Sequence, residues 1–177
     1  STLLKEVIDE AKKRGGLAKK ANRLMVWGSV LDNTNMVEMV EGLDAYVVMD
    51  DTCVGSRAYF NDVKITPNPL DGLADHYLNH IKCPRTFLAD YYATQKDHIS
   101  DLKRRYGYLG DYARDWKVNG VILEALKYCD THGYEVPSIK DYFQEIGLPT
   151  IYLEHDYTPG MIAPLKTRVQ GFLEIIA

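Results

Sequence analysis

Three cysteines, Cys53, Cys83 and Cys129, are the side chains of this sequence best suited to hold a soft metal or carry a reactive thiolate. Their number is odd and no two form a CxxC pair, so reduced thiols account for them better than a disulfide framework. Cys53 lies in "VVMDDTCVGSR", where Asp50, Asp51, Gly55 and Arg57 make a poor core environment. Cys129 lies in "KYCDTHGYE" and has two readings. It is either a small buried hydrophobe at a strand end or a thiolate ligand for a soft metal, with Lys127 and His132 nearby to offset its charge. Cys83 precedes Pro84 at a helix end and offers the weakest case of the three.

Other polar groups carry less. Asp50 and Asp51 have the chemistry of a hard-cation site or an acid and base pair, but adjacent acids point in different directions and read first as solvated surface. Arg57 has the fork to hold a phosphate such as that of a coenzyme A tail; pairing with Asp51 is the simpler reading. His76 and His80 sit one helical turn apart, yet "HYLNH" lacks the glutamate of a metalloprotease helix. "WGSVLDN" has neither GxGxxG nor a GKS or GKT signature, so a nucleotide-phosphate loop is unsupported. No Ser/His/Asp arrangement can be argued.

The elements that must position these groups follow from periodicity. Ser1 can cap a helix running to about Arg14, with Leu3, Leu4, Val7, Ile8 and Ala11 at helical spacing. "RLMVWGS" and "DAYVVMDD" read as buried strands flanking a helix that carries Met36, Val37, Met39 and Val40 and stops at Gly42. Residues 53–70 form a long connection. Helices are expected from about Asp71 to Ile81 and from about Asp90 to Trp116. "NGVILEAL" is a third strand and "PSIKDYFQEIG" a helix with Pro137 near its first turn. "PTIYLEHDY" is a fourth strand, and a last helix starts near Ala163. Tyr91, Tyr108 and Tyr112 fall off the main stripe of the long helix, which suggests a second buried face and association with another subunit.

Strands rich in Val, Ile and Leu alternating with helices imply one α/β domain over residues 1–177. Its doubly wound, flavodoxin-like sheet is four-stranded and mainly parallel, with helices on both faces. Ligands of such sheets bind outside the carboxyl ends of the strands. Cys53 and Cys129 both follow strands, so they leave the sheet at one edge. Adjacent strands lie about 4.8 Å apart, which puts the two loop starts about 10 Å apart even with a strand between them. Cys83, beyond a helix, is expected elsewhere.

A chain of 177 residues, 46% hydrophobic, is long enough for one sizeable core. Its formal charge of -4, with acids and bases interleaved, gives no stripe for a nucleic-acid backbone. No apolar run approaches the ~20 residues of a membrane span, and no signal-peptide pattern opens the sequence. A soluble, cytoplasmic protein is expected.

Taken together, "RLMVWGSVLDN", "VVMDDTCVGSR", "NGVILEALKYCDTHGYEVPSIKDYFQEIGLPTIYLEHDY" and "LKTRVQGFLEII" resemble the 2-hydroxyacyl-CoA dehydratase (2-hydroxyglutaryl-CoA dehydratase D-component) and benzoyl-CoA reductase family, from Arg23 onward. The resemblance implies an oxygen-sensitive subunit with a 4Fe-4S type iron-sulfur cluster, paired with a related second subunit in a heterodimer. It further implies an ATP-dependent activator that donates a low-potential electron, and an acyl-CoA substrate that undergoes radical dehydration or ring reduction. Family subunits are longer and hold their cluster with three cysteines, two of them in the amino-terminal half. Residues 1–177 therefore resemble the carboxy-terminal half, with the cluster incomplete or absent in this chain alone. By position "KYCDTHGYE" matches the late family ligand, so Cys129 is carried over as a metal and cofactor ligand. Cys53 matches a recurrent family segment and is carried as a second. No catalytic acid or base is assigned. The rival reading is a non-catalytic flavodoxin-like interaction domain whose cysteines are buried; a flavin or nucleotide binder rests on fold analogy alone.

Overall fold

The computed structural model describes residues 1–16, 22–85, 97–156 and 158–177. Four strands, β1 (Asn22–Gly28), β2 (Ala45–Asp51), β3 (Gly120–Leu126) and β4 (Thr150–His155), form one sheet in the order β2-β1-β3-β4. Every pairing is parallel, with Val26 against Ile122 and Ile122 against Ile151. The chain winds from β1 outward to β2, then crosses back to β3 and out to β4. The switch therefore falls between the two central strands, β1 and β3, where an open α/β sheet forms its crevice.

The strand residues explain why both faces are covered. Successive side chains of a strand point to opposite faces. Leu24, Val26 and Ile122 accordingly join one core with α2 (Asn35–Glu41) and α7 (Ile162–Ile176), through Met36, Val40, Val169 and Phe172. Met25, Trp27, Val121 and Leu123 join the other with α5 (His98–Asp115) and α6 (Asp130–Glu145), through Leu109, Ile139 and Phe143. This is the doubly wound, flavodoxin-like arrangement that the sequence pattern implies.

Several boundaries differ from the sequence reading. Helix α6 starts at Asp130, directly after Cys129, and Pro137 lies inside it. His132, Val136, Ile139 and Phe143 are all buried and keep one helical stripe facing the sheet, so the helix extends past the first-turn position that proline usually marks. The helix expected to end at Ile81 divides into α4 (Pro69–Asp75) and a π-helical turn, His76–His80. The long connection after β2 contains a short helix, α3 (Ser56–Tyr59). The expected start of the long helix near Asp90, with Tyr91, lies outside the described residues; its described part is α5. Helix α1 (Thr2–Lys13) is capped by Ser1, whose Oγ accepts the Leu4 N–H at 3.4 Å, and it buries no residue.

Candidate functional site

The site is built at the carboxyl ends of β1, β2 and β3. Asp50, at the end of β2, folds the loop that follows. Its carboxylate accepts from the Thr52 hydroxyl at 2.9 Å, the Ser56 hydroxyl at 2.7 Å and the Ser56 N–H at 3.1 Å. Gly55 permits this wrap, because a Cβ there would stand 1.7 Å from Asp50 Oδ2. Asp50 is thus a structural anchor, with its oxygens spent on the turn.

That turn delivers Arg57 into the interior. Its side chain is 2% exposed and pairs with Asp51, whose side chain is 1% exposed. Nε lies 3.2 Å from Oδ1 and Nη2 lies 3.2 Å from Oδ2. The guanidinium also stands 5.7 Å from the Trp27 ring centroid. Tyr108 on α5 completes the group, donating to Asp51 Oδ2 at 3.0 Å. Burial raises the Asp51 carboxyl above its usual range, opposed by Arg57. Burial, with Asp51 beside it, pushes the Tyr108 phenol well above its ordinary value. The pairing of Arg57 with Asp51 therefore occurs, and Arg57 is committed inside the protein.

The remaining arm of Arg57, Nη1, reaches Gly28 O at 3.1 Å and His132 Nε2 at 3.1 Å. His132 sits in the first turn of α6, with its ring centroid 5.2 Å from that of Trp27. Its imidazole touches both cysteines of interest. Nδ1 lies 3.2 Å from Cys129 Sγ, and Nε2 lies 3.8 Å from Cys53 Sγ. Burial, followed by Arg57 and Arg85, holds this imidazole down to about 4, so it is neutral at pH 7.

Each sulfur is positioned by its backbone. Tyr128 takes φ +68°, an uncommon left-handed conformation for a non-glycine residue, and turns the chain out of β3. Cys129 is then the N-cap residue of α6, and its N–H bonds Leu126 O at 3.0 Å. Its side chain makes no capping bond, which leaves the sulfur facing His132. Cys53 is anchored by its N–H to Ser29 O at 3.1 Å, in the loop after β1. Burial pushes the Cys53 thiol up; Arg57 opposes this, and Cys83 and Cys129 add to it.

The structure therefore brings Cys53 and Cys129 together, as strand order implies. Among the described residues, Cys83 makes no contact with either of them or with His132. That residue lines a separate cleft with Trp27, Lys82, Tyr106, Tyr108 and Glu135. Tyr108 reaches from Asp51 toward Lys82 O, at 3.5 Å, tying the Cys83 segment to the end of β2. Tyr108 and Tyr112 are likewise occupied within the chain, since Tyr112 stacks on Phe60 at 4.6 Å. Both remain half-buried.

His76 and His80 do not converge: His76 is buried, and His80 is held by Asp75 at 3.1 Å. Lys127 pairs with Asp156 at 2.7 Å and leaves His132 as the Cys129 neighbour. Among the described residues no group of three or more His, Cys, Asp or Glu is arranged to hold a metal ion. Two features escape the sequence reading. One is the linking position of His132, foreshadowed only by its three-residue spacing from Cys129. The other is a buried polar cluster in which Glu124 accepts from Ser29 Oγ at 3.2 Å and pairs with His155 Nε2 at 2.9 Å. The signal for it is an acid inside the apolar run "GVILEAL".

Fold and site together define a doubly wound α/β domain of the flavodoxin type, with thiols gathered at the carboxyl edge of its sheet. The chain belongs to the family described as 2-hydroxyglutaryl-CoA dehydratase, D-component, whose model matches residues 1–176. It is 24% identical over 173 residues to the (R)-phenyllactyl-CoA dehydratase beta subunit of Clostridium sporogenes, covering 98% of this chain and 43% of that one. It is 23% identical over 176 residues to one of the benzoyl-CoA reductase subunits of Thauera aromatica, covering 98% and 43%. It is also 23% identical over 177 residues to the lactoyl-CoA dehydratase beta subunit of Anaerotignum propionicum, covering 99% and 44%. The chain thus spans less than half the length of these curated relatives. No helix among the described residues is long and apolar enough to cross a membrane.

Proposed function

We propose that this chain is the carboxy-terminal α/β domain of an iron-sulfur subunit in a cytoplasmic acyl-CoA dehydratase or benzoyl-CoA-type reductase. The observation that carries the reading is the meeting of Cys53 and Cys129 on one imidazole at the carboxyl edge of the sheet. A four-iron cluster takes about four ligands, usually cysteine thiolates. The donor chemistry fits a shared cluster: Cys129 is the principal ligand from this chain, and Cys53 is a second ligand or lines the same cleft. The other ligands come from the rest of the longer polypeptide. Held by these sulfurs, such a cluster would supply one-electron chemistry to an acyl-CoA thioester, the electron being drawn from an ATP-dependent activator. This chain's own residues hold and orient the sulfurs, with Trp27, Asp51 and Arg57 buried behind them. The enzyme is completed by a related second subunit.

The test is iron and acid-labile sulfide content of the full-length, anaerobically purified complex. Cys129→Ser is expected to lose the cluster and Cys83→Ser to keep it. A normal cluster in Cys129→Ser would overturn the assignment, and a lack of iron and sulfide in the unsubstituted protein would favour a non-catalytic interaction domain. A normal one in Cys53→Ser alone demotes Cys53 to the cleft wall.

A further inference from the structure

Arg57 is fixed on three sides before it meets His132: the Asp51 carboxylate holds Nε and Nη2, and Gly28 O holds Nη1. A guanidinium has donors only, so at 3.1 Å from Nη1 the His132 Nε2 must accept. Gly28 O also stands near the ring and has a second lone pair, but a proton on Nε2 would face the Nη1 N–H at 3.1 Å. The ring proton therefore resides on Nδ1, which faces Cys129 Sγ at 3.2 Å. A half-turn of the ring would put carbon where Nδ1 and Nε2 stand, breaking the contacts to both Cys129 and Arg57.

We propose that Asp51, Arg57 and His132 are positioning residues that deliver a fixed N–H donor to the Cys129 sulfur. Through that hydrogen bond they tune the reduction potential of the cluster which Cys129 helps to hold. This inference rests on the reading of Cys129 as a ligand. Partners of a ligand's neighbouring groups set its orientation and basicity, and hydrogen bonds to cluster sulfurs are among the determinants of potential. A donor on the sulfur stabilises the more negative, reduced state. The same guanidinium lies 3.7 Å from Cys53 Sγ, so both thiols answer to one cation.

The experiment is a redox titration of the full-length anaerobic complex, followed by electron paramagnetic resonance, with iron counted in each sample. His132→Leu and His132→Gln, which lack a donor at the δ position, are expected to keep their iron and shift the midpoint potential to more negative values. His132→Asn, whose amide nitrogen occupies that position, is expected to recover most of the shift. An unchanged potential in His132→Leu with full iron would overturn the relay. Iron loss in every His132 variant, His132→Asn included, would overturn it too, since a positioning residue leaves the ligand in place. Cys129→Ser, run beside them, separates the two ideas: a normal cluster there removes the ligand reading, whereas a lost cluster with unshifted His132 variants removes only the relay.

Discussion

The geometry of the site turns on the buried pair of Arg57 and Asp51, because one guanidinium orients the β2 end, the β1 loop and the first turn of α6. Removing one partner of a buried pair leaves an uncompensated charge, which typically costs about 3–5 kcal/mol. Arg57→Met is therefore expected to lower the urea midpoint of unfolding by a loss of that size. A change within about 0.5 kcal/mol, the range of ordinary surface substitutions, would show that the pair is not the anchor described. Much of this was legible in "DDTCVGSR", where an arginine six positions after an acid suggests pairing. What the string could not disclose was the third arm of Arg57, since the partner His132 is 75 positions away and is brought there by the β3 to α6 turn.

At the scale of elements, the strands were legible because Val, Ile and Leu runs end at glycine or acid, whereas helix starts were not where proline competed with burial. Helix α6 shows why: the stripe His132, Val136, Ile139 and Phe143 outweighs the signal of Pro137. Pro137 is exposed and interior, where proline is about 3 kcal/mol less favourable than alanine. Pro137→Ala is expected to raise thermal stability, by about 1 kcal/mol or more; a lower melting temperature would contradict this. The π-helical turn makes a second test. Asp75 is held down to about 2 by hydrogen bonds from Asn79, His80 and Lys64. A depressed carboxyl supports the folded state above its unfolded value, near 3.9, and that support fades as pH falls through about 2. A carbon-detected titration of Asp75 should show a midpoint near 2, and one near the unfolded value would show that the clamp is open in solution.

For the whole molecule, two apolar cores on the two sheet faces hold the strands without any contribution from the thiols. The chain is therefore expected to fold cooperatively in iron-free buffer; far-ultraviolet dichroism showing mostly coil would contradict this. The sequence made the sheet edge legible as the place for Cys53 and Cys129, since both follow strands. The cleft that Cys83 lines was not legible, because the contact of Tyr108 with the Lys82 carbonyl is tertiary and leaves no local pattern. In the proposed function the Cys129 sulfur is bonded to iron in the complete enzyme. That bond is tested most directly by replacing Cys129 with selenocysteine enriched in selenium-77 and recording the electron-nuclear double resonance spectrum of the reduced complex. A resolved selenium hyperfine coupling is expected. A fully loaded, reducible cluster with no selenium coupling would contradict it.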